Sequence, residues 1–269
     1  MELSIIVTNY KNSELLKLCL NSIKKSTINV AYELIVTDSE TQEDMEMMMR
    51  EEYSDVKFFP DKKNIGFMAC AEKGIKYSKG DYILILNGDL IVEPDSIQKM
   101  LEFLKSDPLI GMVGPKLLNF NGTLQYSCFR FYKPQTIVYR RTFLGRLSFA
   151  KKHLDRFQMK DYDHASPKEV DWLMGSALMI SRKALEKVGF MDKQYFMYME
   201  DVDWCRRFWE NEYKVMYYPL VMMHHYHGRG SAKGGVIRSL ISSRLTWIHI
   251  FSAIKYFKKF WGKAVPEHN

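Results

Sequence analysis

The chain has 269 residues, 46% of them apolar, enough to bury the core of one sizeable α/β domain or two small ones. Its four cysteines, Cys19, Cys70, Cys128 and Cys205, show no CxxC spacing; this argues against a zinc site or a disulfide framework and for small core residues in a reducing compartment. The net charge of +7 is concentrated, because from Lys233 onward seven Lys and Arg face Glu267 alone and the first 232 residues carry only +1; this argues against a nucleic-acid-binding body, and a tail resting on an anionic surface is expected.

In chain order, Leu3–Val7 (LSIIV) reads as an apolar strand. Ser13–Lys25 follows as a helix, with Leu15, Leu16, Leu18, Leu20 and Ile23 in a stripe behind a Ser N-cap. Glu33–Thr37 is a second strand, Glu40–Glu52 a polar, Met-rich helix, and Val56–Phe59 a third strand. Ile65–Tyr77 is a helix with Asn64 as its cap, and Gly66 allows close backbone approach. Tyr82–Leu86 is a fourth strand, and Pro94 suits the first turn of a helix over Asp95–Lys105. This alternation implies a parallel sheet with right-handed crossovers, in which ligands bind beyond the carboxyl ends of the strands. Thr8-Asn9-Tyr10, Asp38-Ser39 and Asn87-Gly88-Asp89 then lie at that edge.

The stretch YILILNGDLIVEP (residues 82–94) admits two readings. Asn-Gly between apolar runs signals a hairpin. The unbroken ILIL instead suits a doubly covered parallel strand ending in a presented carboxylate. Beyond Gly111–Leu118 the alternation stops. Arg130–Lys168 carries ten Lys and Arg against Asp155, Asp161 and Asp163, and is expected to form a mobile, partly helical excursion. Val170–Ser181 is strand-like, Asp201–Glu212 helical, and Val215–Met223 a strand or strand pair broken at Pro219.

Two polar clusters could carry chemistry. In MYMEDVDWCRRF, Glu200, Asp201 and Asp203 either complement a helix N-terminus, with Asp203 pairing to Arg206 or Arg207, or include a general base for an arriving hydroxyl. In MHHYHGRGS, His224, His225 and His227 suit metal ligation, phosphate contacts or a polar turn. The following Gly228–Ser231 could wrap a phosphate. Asp38 either accepts hydrogen bonds from a base or ribose or opens an Asx-turn.

Taken together, SIIVTNYKN, NIGFMAC, LILNGDLIVEP, VDWLMGSALMISRKALEKVGFMD, YFMYMEDVDWCRR and YYPLVMMHHYHG resemble, in order and spacing, the family 2 inverting glycosyltransferases of GT-A fold, most closely the rhamnosyltransferase-like branch. The resemblance covers most of residues 3–231. It implies a Rossmann-like, mostly parallel sheet flanked by helices over residues 1–231. Residues 1–118 would bind the nucleotide-sugar, residues 119–231 would form the acceptor and catalytic half, and residues 232–269 a basic amphipathic helical tail.

The resemblance also implies roles. Residues 87–89 stand where the family has its Asp-x-Asp motif, so Asp89 would bind Mn2+ or Mg2+ clamping the donor diphosphate. Asn87 and Gly88 depart from that motif, which weakens metal binding or turns Asn87 toward the donor ribose. His225, with His224 as the near alternative, would complete the metal shell. Asp201, beside Glu200, would be the catalytic base. Thr8, Asn9, Tyr10, Asp38, Asn64 and Gly66 would contact the nucleoside, and Trp172, Gly175, Asp203 and Arg206 the sugar and acceptor. The expected activity is metal-dependent sugar transfer from a nucleotide-diphospho-sugar, dTDP-rhamnose being one candidate, to a glycan or lipid-linked acceptor in surface polysaccharide synthesis. A catalytically weak nucleotide-sugar-binding or scaffold protein of the same fold is the alternative.

For the tail, Ile237, Ile241, Leu245, Ile248 and Phe251 recur at helical spacing, and Phe257, Phe260 and Trp261 interleave with lysines. Residues 233–263 are expected at a membrane interface, the other candidates being the catalytic domain and a second copy of the chain. No signal peptide is expected, and the longest uncharged run of the tail, Leu245–Ile254, is half of the roughly 20 residues a span needs. The expected location is cytoplasmic, peripheral at the inner face of the cell membrane.

Overall fold

A computed structural model of the chain describes residues 1–226 and 244–267, with the side chains of residues 244 and 245 left aside. The first half alternates as expected: β1 (Leu3–Tyr10), α1 (Ser13–Lys24), β2 (Tyr32–Ser39), α2 (Glu43–Glu52), β3 (Lys57–Asp61), α3 (Gly66–Tyr77) and β4 (Tyr82–Asn87). Strands β3, β2, β1 and β4 pair side by side in parallel. Seven of the eight residues of β1 are buried, which is why its centre, Ile5-Ile6-Val7, is apolar without alternation: Ile6 packs into one core layer and Ile5 and Val7 into the other. The N-cap of α1 is Asn12, whose Oδ1 accepts from the Leu15 N–H at 3.0 Å; Ser13 turns away to donate to Asp44.

The question posed by residues 82–94 has a third answer. β5 (Leu90–Val92) does not fold back on β4, whose neighbours are β1 and β11 (Ala177–Ser181). It pairs antiparallel with β12 (Lys214–His225) at the far edge of the sheet. The Asn-Gly turn is instead pinned by tertiary bonds: the Asn87 N–H donates to Ser176 O at 2.9 Å and the Gly88 N–H to Thr8 O at 2.8 Å. Local hairpin chemistry loses to the burial of ILIL between two neighbours.

After α4 (Ser96–Lys105), β6 (Ile110–Leu118) sits between β11 and β12, giving the order β3-β2-β1-β4-β11-β6-β12-β5. The short β7 (Leu124–Gln125) and β9 (Lys168–Glu169) flank this sheet, and β8 (Cys128–Phe129) pairs with β10 (Trp172–Leu173) beside it. Pro219 does not split β12; it lies in a register shift between Tyr218 and Met222, where the missing N–H is tolerated. The basic excursion is more regular than expected. α5 (Pro134–Arg141), a 3-10 turn (Phe143–Arg146) and α6 (Ser148–Phe157) anchor it to the core through Ile137, Ala150 and Phe157.

The chain continues through α7 (Arg182–Val188) and α8 (Glu200–Glu210) to α9 (Arg244–Lys259). α9 is built into the domain: Thr246, His249, Ala253 and Tyr256 form a buried stripe at helical spacing, continued by Phe260. The expected boundary at residues 231 and 232 lies outside the described residues, as do His227, Gly228–Ser231, Ile237 and Ile241. Among the described residues no helix is long and apolar enough to cross a membrane.

Candidate active site

A cleft of about 510 Å3 opens where the carboxyl ends of β1, β2 and β4 meet the start of α3, the turn before β11, the first turn of α8 and the end of β12. Thr8, Asn9, Tyr10, Asn64, Gly66, Asn87, Gly88, Asp89, Gly175, Glu200, Asp201 and His225 all line it. Residues up to 217 positions apart in sequence thus meet at one sheet edge, as a doubly wound topology requires.

Along the β1 and β2 edge the polar groups are locked to one another. Asn9 Nδ2 donates to Asp38 Oδ1 at 2.7 Å. Asp38 is buried and does not line the cleft; it stands behind Asn9 and sets the direction of its amide. Burial pushes the Asp38 carboxyl above its usual range, although bonds from Thr41 and Asn9 oppose this. Ser39 Oγ accepts from the Ile65 N–H at 2.8 Å, and Asn64 Oδ1 from the Gly66 N–H at 3.0 Å. These bonds hold the α3 entry, where Gly66 takes a φ of +79° that a side chain would strain.

Asp89 and His225 face each other across the cleft end, with Nε2 3.3 Å from Oδ1. Asp89 Oδ1 is buried without a hydrogen bond among the described residues. The other imidazole nitrogen, Nδ1, lies 2.9 Å from Gln125 Oε1, a contact that fixes the orientation of the ring. A carboxylate oxygen and an imidazole nitrogen this close to each other are of the ligand types that suit a divalent cation. Among the described residues they form a pair only, since no cluster of three candidate ligands is present; the remaining positions would fall to ligand or water oxygens. His224 belongs elsewhere. Alternation along β12 turns it to Glu93, 3.1 Å away.

At the opposite wall, Asp201 Oδ2 accepts from the Gly175 N–H at 3.2 Å and Oδ1 from the Val202 N–H at 2.9 Å. Glu200 Oε2 is buried with no hydrogen bond among the described residues. Both carboxyls are pushed above their usual range by withdrawal from water, and repulsion from Asp201 adds to the rise at Glu200. The pair thus holds its protons more tightly than free carboxylic acids do, with Asp201 the better hydrogen-bonded anion. Tyr198 and Met199, just before it, take φ values of +67° and +68°. Left-handed backbone at two consecutive non-glycine residues costs about 1–2 kcal/mol each and aims the first turn of α8 into the cleft.

Three expected acceptor residues lie elsewhere. Asp203 and Arg206 follow Asp201 by two and five positions, which turns them to the far side of α8. Asp203 is fully buried and takes hydrogen bonds from Tyr195, Arg207 and Lys259. Arg206 stacks over Phe260 at 4.0 Å and donates to Ala264 O. Trp172 is core: it stacks on Phe129 at 4.3 Å and donates to Arg130 O. The cleft walls also include Phe67, Met174 and Met197, which carried no sequence signal beyond their closeness to Gly66, Gly175 and Glu200.

Residues 4–189 match the glycosyl transferase family 2 model. A low-salt glycan biosynthesis hexosyltransferase of Haloferax volcanii is 26% identical over 77% of this chain and 61% of its own length. An N-acetylglucosaminyl-diphospho-decaprenol L-rhamnosyltransferase of Mycobacterium tuberculosis is 26% identical over 66% of this chain and 62% of its own. The chain therefore spans about three fifths of the length of these curated relatives. Among solved structures, GalNAc-T7 with UDP, GalNAc and Mn2+ superposes with a TM-score of 0.64 at 15% identity, covering 87% of this chain and 44% of that one, a likeness of fold. The α/β architecture, a largely parallel sheet between helical layers, is that of the GT-A glycosyltransferases. With the family model matched from the first strand through α7, the chain belongs to glycosyl transferase family 2.

Proposed function

We propose that the protein is an inverting glycosyltransferase that moves a sugar from a nucleotide-diphospho-sugar to a glycan or lipid-linked acceptor in surface polysaccharide synthesis. The observation that carries this reading is the Glu200–Asp201 pair opening into the same cleft as Asp89, His225 and the strand-end polar groups. The relatives' names, a glycan hexosyltransferase and a rhamnosyltransferase acting on a diphospho-lipid sugar, support the class and make rhamnose a candidate.

The strand-end groups Thr8, Asn9, Asn64 and Asn87 bind the nucleoside, with Asp38 acting through Asn9. Asp89 and His225 would hold Mn2+ or Mg2+, whose charge offsets that of the leaving diphosphate. Asp201 accepts the proton of an acceptor hydroxyl as its oxygen bonds to the anomeric carbon and the bond to the diphosphate breaks on the opposite face. One displacement of this kind inverts configuration and needs one base. Glu200, kept protonated by its surroundings, leaves the single negative charge of the pair on Asp201. The reaction belongs at the cytoplasmic face of the cell membrane, where nucleotide-sugars and lipid-linked acceptors meet.

The test is a panel of nucleotide-sugars incubated with Mn2+, Mg2+ or EDTA, following nucleotide diphosphate release alone and with membrane extract. Metal-dependent release from one donor, raised by extract, supports transfer and names the donor. A second reading rests on Asn87, which leaves one carboxylate where the family motif has two. Thermal stabilisation by a donor with no release in any condition would favour a nucleotide-sugar-binding protein.

A further inference from the structure

α9 has two faces of opposite destination. Its inner face holds the loop that leads into α8. Ser252 Oγ donates to Met197 O at 2.9 Å, Lys255 Nζ to Gln194 O at 2.6 Å, and Lys259 Nζ bridges Asp192 at 2.7 Å and Asp203 at 2.6 Å. Met197 carries that loop into the cleft wall. The outer face should be polar if water covered it. Instead Trp247, Phe251 and Ile254 are 48%, 57% and 56% exposed, and Trp261 beyond the helix end is 86% exposed. Spacings of four and three residues keep Trp247, Phe251 and Ile254 on one stripe of the helix, and Trp261 follows just past its end. Trp247 and Phe251 stack loosely along it, with ring centroids 6.0 Å apart.

Along the segment that carries this stripe the charge has one sign. From 246 to 266 the sequence holds Lys255, Lys258, Lys259 and Lys263 and no acidic residue. Lys258 and Lys263 are exposed, and no carboxylate among the described residues pairs with them, whereas Lys255 and Lys259 are held on the inner face. A second copy of the chain docked on this face about a twofold axis would set lysines against lysines. A surface of negative charge over an apolar interior answers both the rings and the lysines. Aromatic rings settle at the headgroup level, and lysines reach back to anionic headgroups.

We propose that the outer face of α9, through Trp247, Phe251, Ile254 and Trp261, seats the protein on an anionic lipid bilayer. Resting on the glycosyltransferase reading for its purpose, this seating puts the Met197 wall of the cleft one helix diameter, about 10 Å, from the lipid surface, within reach of a lipid-linked acceptor. The inner face then joins bilayer contact to the loop that ends at Glu200 and Asp201.

The experiment is flotation of the full chain with phosphatidylglycerol–phosphatidylcholine vesicles and with phosphatidylcholine alone, alongside tryptophan emission. The expected result is at least roughly tenfold stronger partitioning to anionic vesicles, weakened by salt, with a blue shift of emission. Trp247→Ser with Trp261→Ser should lose roughly tenfold or more at unchanged melting temperature. Lys258→Glu with Lys263→Glu, two exposed sites, should do the same if the aromatic variant folds poorly. Equal partitioning of wild type and both variants, or no binding to anionic vesicles, overturns the proposal. So does a wild-type dimer in sedimentation that the variants dissociate, which would give the face to a second copy. Nucleotide release from a donor without vesicles tests the transferase reading separately, so failure of one is distinguishable from failure of the other.

Discussion

Replacing Asp201 by Asn removes the proposed base and little else. Asn keeps the size of Asp and can still accept the Val202 N–H with its single oxygen, while the contact from the Gly175 N–H at 3.2 Å is lost. The groups proposed to bind the nucleoside belong to other elements, so donor binding should stay within about twofold. A positioned general base contributes about 10²–10⁴ in rate, or roughly 3–5 kcal/mol of barrier, and kcat should fall by that factor. The stability of the same variant carries a second signature. Both carboxyls of the Glu200–Asp201 pair have folded pKa values above their unfolded ones. Their contribution to stability is therefore complete below the unfolded values near 4 and is lost as pH rises through the folded values. The wild-type melting temperature should decline between about pH 5 and 8, and Asp201→Asn should flatten that decline by removing one titration and its repulsion on Glu200. The assay is acceptor-dependent diphosphate release beside thermal melts over that pH range. Turnover within about fivefold of wild type would refute the base assignment, and an unchanged pH slope would refute the account of the pair.

Asp89→Asn and His225→Ala should each weaken Mn2+-stimulated nucleotide binding about tenfold or more while leaving metal-free binding nearly unchanged, as read by calorimetry with and without EDTA. Gly88→Ala should block the cleft floor, because a Cβ there meets Asn9 Oδ1 at 2.8 Å and Thr8 O at 3.3 Å; the expected readout is lost donor binding, and normal binding would show that the turn relaxes. Lys259→Met leaves buried Asp203 with Arg207 and Tyr195 only. Losing one partner of a buried carboxylate costs about 3–5 kcal/mol, and the partners that remain reduce this to about 2 kcal/mol, a fall in melting temperature of roughly 4–8 °C by calorimetry. The acid limb of the activity profile should lie above the ordinary carboxylate range near 4, because the pair's burial raises both groups.

Residue type and period alone determined the first half of the fold. Doubly buried strands such as β1 and β4 need unbroken apolar runs, and helices between them need 3.6-residue stripes, so both are written locally. The strand-end residues of the cleft followed from that order, because a parallel sheet collects its carboxyl ends on one edge. The partner of β5 was decided only by tertiary structure: Asn-Gly favours a hairpin, but β4 already has β1 and β11 beside it, and burial outweighs turn preference. The same holds for the functional face of α8. The cluster of Glu200, Asp201 and Asp203 looks uniform in sequence, yet rotation about the helix sends two carboxyls to the cleft and the third to Lys259, 56 residues later. The tail's composition announced an amphipathic basic helix. Which stripe would enter the core and which would stay exposed depended on Ser252, Lys255 and Lys259 finding acceptors on the 192–203 segment, a match of distant groups that no local pattern contains.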